Sequence, residues 1–175
     1  MATTYTLISS VVVGSGGTSS ISFNSIPNTY TDLSLVLSTR SAANASVQDL
    51  KMYFNSTGNN SNMYLMGNGS TASSGNSVYT PTYNWPGVSP AATSTANTFS
   101  NISIYIPNYT SSNSKSFSID AVQENNTSTA YSVLVAGLWS SSSAITDINI
   151  IPASLTIVQH STAYLYGISN AWALY

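Results

Sequence analysis

Three stretches of this chain change character with a period of two, and that spacing restricts its fold more than any other feature. In Asp32–Ser41, Leu33, Leu35 and Leu37 face one way while Ser34, Val36 and Ser38 face the other. In Ser100–Ile106, Ile102, Ile104 and Ile106 alternate with Asn101, Ser103 and Tyr105. In Lys115–Val122, Phe117, Ile119 and Ala121 alternate with Ser116, Ser118 and Asp120. Successive side chains of a strand point to opposite faces, so each segment predicts a half-buried strand of an antiparallel sheet.

Weaker versions of the pattern run over Thr4–Val13, Ser19–Phe23, Asp49–Asn55 and Asn62–Met66, then Ala130–Trp139, Ile145–Ile151, Ser154–Val158 and Thr162–Ile168. Tyr131–Leu138 is apolar on both faces, which predicts a strand at the centre of a sandwich. β-Branched and aromatic residues are frequent throughout, and no window of ten or more residues carries a helical period. Prolines directly after apolar residues, in Ile26-Pro27-Asn28, Ile106-Pro107-Asn108 and Ile151-Pro152, end strands or start turns. The segments amount to ten or eleven strands, the spacing of a sandwich or jelly roll. The fold class expected is all-β: a single-domain antiparallel β-sandwich, jelly-roll-like, spanning residues 1–175. The exception is a long loop over Gly67–Asn97, with Pro81, Pro86 and Pro90, which leaves room for a short strand around Val78–Tyr83.

Composition narrows the function. Charged residues are 5% of the chain, against about a quarter in ordinary soluble domains. Their place is taken by Ser, Thr and Asn, and 12 Tyr supply much of the apolar area. Arg40, Lys51 and Lys115 are the only basic residues, too few for the stripe that a phosphate backbone or an anionic membrane requires. Neither nucleic acid nor membrane is therefore expected as a partner. A net charge of −2 offers little repulsion between copies, which suits self-assembly. Met1–Val13 lacks the basic and long apolar regions of a secretory signal, and no run approaches a membrane span. The expectation is a soluble chain without an export address.

Catalytic and metal chemistry find little to use. There is no Cys, hence no disulfide, thiolate nucleophile or Cys-based zinc site. His160 is the single histidine and no G-x-S-x-G elbow accompanies it. Asp32, Asp49, Asp120, Glu124 and Asp147 are scattered, with nothing in their spacing to support the facing carboxylates of a glycosidase. No calcium-loop motif occurs. The triplets Asn44-Ala45-Ser46, Asn55-Ser56-Thr57, Asn68-Gly69-Ser70 and Asn108-Tyr109-Thr110 are what a chain so rich in Asn, Ser and Thr produces by chance. The expectation is a non-enzymatic protein with no catalytic residues, metal or cofactor.

The aromatics carry more weight. Tyr79, Tyr83 and Trp85 lie in the long loop, and Trp172 and Tyr175 at the C-terminal end of the sequence. As candidate contact residues they have three readings: stacking on sugar rings, anchoring a protein–protein contact where Tyr and Trp are enriched, or capping the end of the barrel.

Several segments also form a familiar series. They are Tyr5-Thr6-Leu7-Ile8, Ile26-Pro27 followed by Tyr30-Thr31-Asp32-Leu33, Ile104-Tyr105-Ile106-Pro107-Asn108-Tyr109, and Glu124-Asn125-Asn126. Ala136-Gly137-Leu138-Trp139, Ala144-Ile145-Thr146 and Leu165-Tyr166-Gly167-Ile168 complete it. This order resembles small virion proteins of tailed phages, particularly those of cyanobacteria and marine bacteria. The resemblance implies a jelly-roll-like sandwich displayed on the particle and made in the host cytoplasm. Its partners would be the major capsid protein, other copies of itself as a homotrimer, or both. The leading role implied is a capsid decoration (cement) protein. The alternative is a head or tail fibre module that recognises a host surface glycan.

Overall fold

Period-two alternation gives each strand one apolar face, and the backbone groups between those faces require partners in a neighbouring strand. The computed structural model describes residues 4–57, 60–76, 82–126 and 130–169. Among these residues lie twelve strands: β1 Thr4–Val12, β2 Ile21–Phe23, β3 Asp32–Ser38, β4 Val47–Phe54, β5 Asn60–Gly67 and β6 Ala72–Asn76, followed by β7 Val88–Pro90, β8 Asn101–Ile106, β9 Lys115–Gln123, β10 Tyr131–Trp139, β11 Ile148–Pro152 and β12 Thr162–Ser169.

They form two antiparallel sheets. The larger has the order β1-β12-β3-β8-β9-β10-β5-β6, and the smaller β2-β11-β4-β7. The pairs β3/β12, β4/β11 and β5/β10 are nested in sequence and fall in the large, small and large sheet in turn. That alternation is the wrapping of a jelly roll, so the chain is a single-domain all-β sandwich of the expected class.

One core lies between the sheets. Leu33, Leu35, Ile102 and Ile104 from the large sheet meet Leu50, Met52 and Ile150 from the small one. Three aromatics lock its centre. Phe54 of β4 meets Phe117 of β9 edge-to-face at 5.3 Å and Trp139 of β10 at 5.8 Å. The Phe117 ring lies across Gly137, where a Cβ would come within 2.0 Å of Cζ. Only glycine lets the ring lie there.

Polar groups fix the turns. Asp32, at the start of β3, accepts hydrogen bonds from the Tyr105 hydroxyl (2.7 Å) and the Asn108 amide (2.9 Å). Buried Tyr109 donates its hydroxyl to the Pro27 carbonyl, so the two Ile-Pro-Asn turns of the sequence meet across the fold. Asn55, in left-handed conformation after β4, accepts from the amides of Thr146 and Asp147 and ties β4 to the entry of β11.

Three expectations change. The stretch Gly67–Asn97 contains two short strands, β6 and β7, rather than a single loop, which raises the count to twelve. The strand expected around Val78–Tyr83 lies largely outside the described residues. Ser154–Val158 is not a strand: Leu155 adopts a φ of 57°, and Ile157 makes only isolated bridges to Thr18 and Ser41. Finally, β10 is interior to its sheet but is covered on one face alone, burying Val133, Val135 and Trp139 while Leu134 and Leu138 face outward.

Candidate functional site

The surface is poorer in charge than the sequence suggests, because two of the three cations are internal. Arg40 is 9% exposed, and its guanidinium donates to the carbonyls of Thr95 (2.9 Å), Thr98 (3.0 Å) and Ser94 (3.1 Å) and to Thr98 Oγ1 (3.1 Å). It thereby pins the segment before β8. Lys115 is 2% exposed, and its Nζ donates to the Ser141 (3.0 Å) and Ser143 carbonyls and lies 5.3 Å from the centre of the Trp139 ring. Burial pushes the pKa of both groups down. Lys51 remains as the cation on the outside.

The carboxylates do not gather in one place, and three of them accept a hydrogen bond from a near neighbour. Asp49 accepts from Trp85 Nε1 (3.0 Å), Glu124 from the Asn126 amide (2.7 Å) and Asp147 from Thr146 Oγ1 (2.6 Å). Asp120 points outward from β9, opposite Ser103 and Leu134. His160 is an exposed turn residue with a φ of 70°, its amide bonded to the Val13 carbonyl (3.0 Å). Among the described residues no three of His, Asp and Glu come together as metal ligands would.

Of the aromatics singled out in the sequence, Tyr79, Trp172 and Tyr175 lie outside the described residues. Tyr83 and Trp85 flank Asn84, whose backbone forms an isolated antiparallel bridge with Met52 of β4 (2.7 and 2.8 Å). The bridge fixes both rings. Trp85 meets Tyr64 at 5.2 Å while donating to Asp49, and Tyr83 sits 6.1 Å from Tyr53 with Lys51 Nζ 5.0 Å from its centre. Both are half-buried, and the rings anchor the loop to the sandwich.

The feature that sequence reasoning missed is the outer face of the large sheet. Leu65 of β5 and Leu134 of β10 are direct cross-strand partners, 61% and 55% exposed. One row away, Met63, 63% exposed, stands opposite Ala136. Leu138 and Val122 extend the patch. Open grooves of about 480 and 490 Å³ flank the Leu65–Leu134 ridge. Small residues line them, Gly75, Ser118 and Ala136 on one side and Gly67, Ala72 and Ser132 on the other. On the far half of the same face, Tyr5 and Leu7 of edge strand β1 are exposed, Tyr5 meets Tyr166 edge-to-face at 6.3 Å, and Tyr105 projects from β8. The strands contribute two carboxylates to this face, Asp32 and Asp120, and no cation. The available signal was the two-sided apolar character of Tyr131–Leu138.

This chain finds no match among protein-family models, curated proteins or solved structures.

Proposed function

We propose that this protein works by contact area rather than by catalysis: a non-enzymatic structural protein of a virus particle, acting as a decoration (cement) protein on the capsid shell. The observation that carries the reading is the outer face of the eight-stranded sheet, where Leu65 and Leu134 pair across β5 and β10, Met63, Leu138 and Val122 are exposed around them, and the strands bring no cation. Contiguous exposed apolar surface on a soluble domain marks an interaction site, and a rigid sheet presents it with little ordering cost on binding. The phage-virion resemblance of the sequence supplies the setting, and the shell is the partner that such a face would cover on a particle.

The test is saturable binding of the purified protein to capsids that lack it, together with the temperature at which those capsids open. Binding that raises the opening temperature is the expected result. Absence of both binding and stabilisation discards the reading.

A second reading, recognition of a host surface glycan, has one observation in its favour. Asp49 and Lys51 stand beside Trp85 and Tyr83, the arrangement of polar groups and aromatic rings that a sugar site uses. Glycan binding that disappears in a folded Trp85→Ala variant would favour it over the shell.

A further inference from the structure

The turn between β5 and β6 has a reactive arrangement that the contact surface does not use. Asn68-Gly69 is the single Asn-Gly step in the chain. The Asn68 side-chain oxygen accepts from the Ser70 amide (3.1 Å), the Ser70 hydroxyl (3.0 Å), the Thr71 amide (2.8 Å) and the Thr71 hydroxyl (3.0 Å). To reach donors two and three residues ahead, the side chain folds over the Gly69 peptide, which sets Cγ beside the Gly69 nitrogen. Gly69 has a φ of 87° in open space, and no side chain of its own hinders that approach. Among the described residues no group accepts from the Gly69 amide. Gly69, Ser70 and Thr71 are exposed, so water reaches the turn.

We infer that Asn68 is a self-modifying site, which converts through a succinimide to aspartate and isoaspartate in the folded protein. The Gly69 nitrogen attacks Cγ. Its bond to Cγ forms as the Cγ–Nδ2 bond breaks, and ammonia leaves with the proton given up by the Gly69 amide. Negative charge develops on Oδ1 in that step, and the four donors already around Oδ1 stabilise it. Water then opens the ring at either carbonyl. Opening at Cγ gives aspartate, and opening at the main-chain carbonyl of residue 68 gives isoaspartate. The two products act differently on the fold. Aspartate keeps an oxygen where the four donors need an acceptor, and adds one negative charge to the net −2 of the chain. Isoaspartate routes the main chain through Cβ and Cγ, which lengthens the turn by one carbon and displaces the acceptor. β6 has little else to hold it. It is an edge strand paired to β5 alone, from Gly67↔Ala72 to Met63↔Asn76, and carries no large apolar residue. Loss of the turn therefore frees β6 along the groove that Gly67 and Ala72 border. The chemistry needs no partner beyond water.

Incubation of the full chain at neutral pH and physiological temperature, followed by peptide mapping, tests it. The expected result is conversion at Asn68 ahead of the Asn-Ser steps at Asn24, Asn55 and Asn113, where the following residue carries a side chain. Isoelectric focusing shows the product as a band more acidic than the parent. A chain with both Ser70→Ala and Thr71→Val keeps the two amide donors and loses the two hydroxyls. It converts about tenfold more slowly, the equivalent of one hydrogen bond in the transition state. These residues are exposed, so the variant keeps the circular dichroism of the parent. Hydrogen exchange over Ala72–Asn76 rises in the isoaspartyl fraction and stays at the parent level in freshly made Asn68→Asp. An Asn68 that remains an amide in the folded chain while the chain unfolded in urea converts overturns the inference. So does conversion no faster than at the Asn-Ser steps, or an unchanged rate in the double variant. Equal exchange over β6 in the isoaspartyl fraction and the parent would overturn the link to the hairpin.

Discussion

Asp32 and Tyr105 show how one hydrogen bond can set both a local geometry and a pH response. The bond to the Asp32 carboxylate, then burial and the repulsion of that charge, push the Tyr105 hydroxyl up to about 12. A tyrosine whose folded pKa lies above its ordinary value of 10.0 contributes stability that is complete below pH 10 and is lost as the pH rises towards 12. Burial raises Tyr109 as well, so ultraviolet titration should show late tyrosinates of which one disappears in Tyr105→Phe, and the variant should lose about 1 kcal/mol at neutral pH. Equal tyrosinate titrations in parent and variant would refute the assignment. Lys115 presents the opposite problem: an ammonium with almost no water around it, held by carbonyls and an aromatic ring rather than by an anion. Lys115→Met keeps the stem but removes the donor from the Ser141 and Ser143 carbonyls. Unfolding by denaturant should show a loss of about 1–3 kcal/mol, the cost of leaving buried acceptors unpaired. An unchanged midpoint would mean that the carbonyls find other donors.

At the scale of elements, the strands that the sequence revealed most clearly are those whose two faces differ. β8 and β9 alternate buried and exposed residues without a break, because the isoleucines and Phe117 face a full core while Ser and Asn face water. Where both faces are apolar, alternation says nothing about which is covered. β10 was expected to be buried on both sides, yet only its Val133, Val135 and Trp139 side has a sheet against it. β6 was not legible at all, since Ala72–Asn76 has no large apolar residue. It exists because the Asn68 side chain accepts from the amides of Ser70 and Thr71 in a tight turn that returns the chain onto β5. Ser154–Val158 carried the opposite error, an apolar alternation cancelled by the left-handed backbone at Leu155. The candidate surface was hidden for the same reason as the true role of β10, while Tyr83 and Trp85, which the sequence leaves open to sugar stacking, a protein contact or a cap on the barrel, have their rings set against Tyr53, Lys51, Tyr64 and Asp49. Close packing at Gly137 can be tested directly. Gly137→Ala places a methyl group inside the Phe117 ring, so the aromatic cluster of Phe54, Phe117 and Trp139 must shift. The expected loss is about 1–3 kcal/mol, the usual cost of overpacking, read from the denaturant midpoint. Retention of full stability would show that the ring moves freely.

For the whole molecule, the placement of charge and of apolar area have one consequence in common. With Arg40 and Lys115 turned inward, the outside carries Lys51 against several carboxylates, and the broad outer face carries no cation on its strands. Long-range electrostatic attraction is then unavailable to steer or hold a partner. Association has to come from removing apolar side chains from water, which screening ions affect little. Binding through this face to a shell should therefore keep nearly the same affinity from low to high salt, within about a factor of two or three. It should also show a negative heat-capacity change, the mark of apolar burial. Calorimetric titration at two temperatures and two salt concentrations measures both. An affinity that falls steeply with salt, at a heat-capacity change near zero, would show that Lys51 and the carboxylates hold the partner and that the apolar face does not.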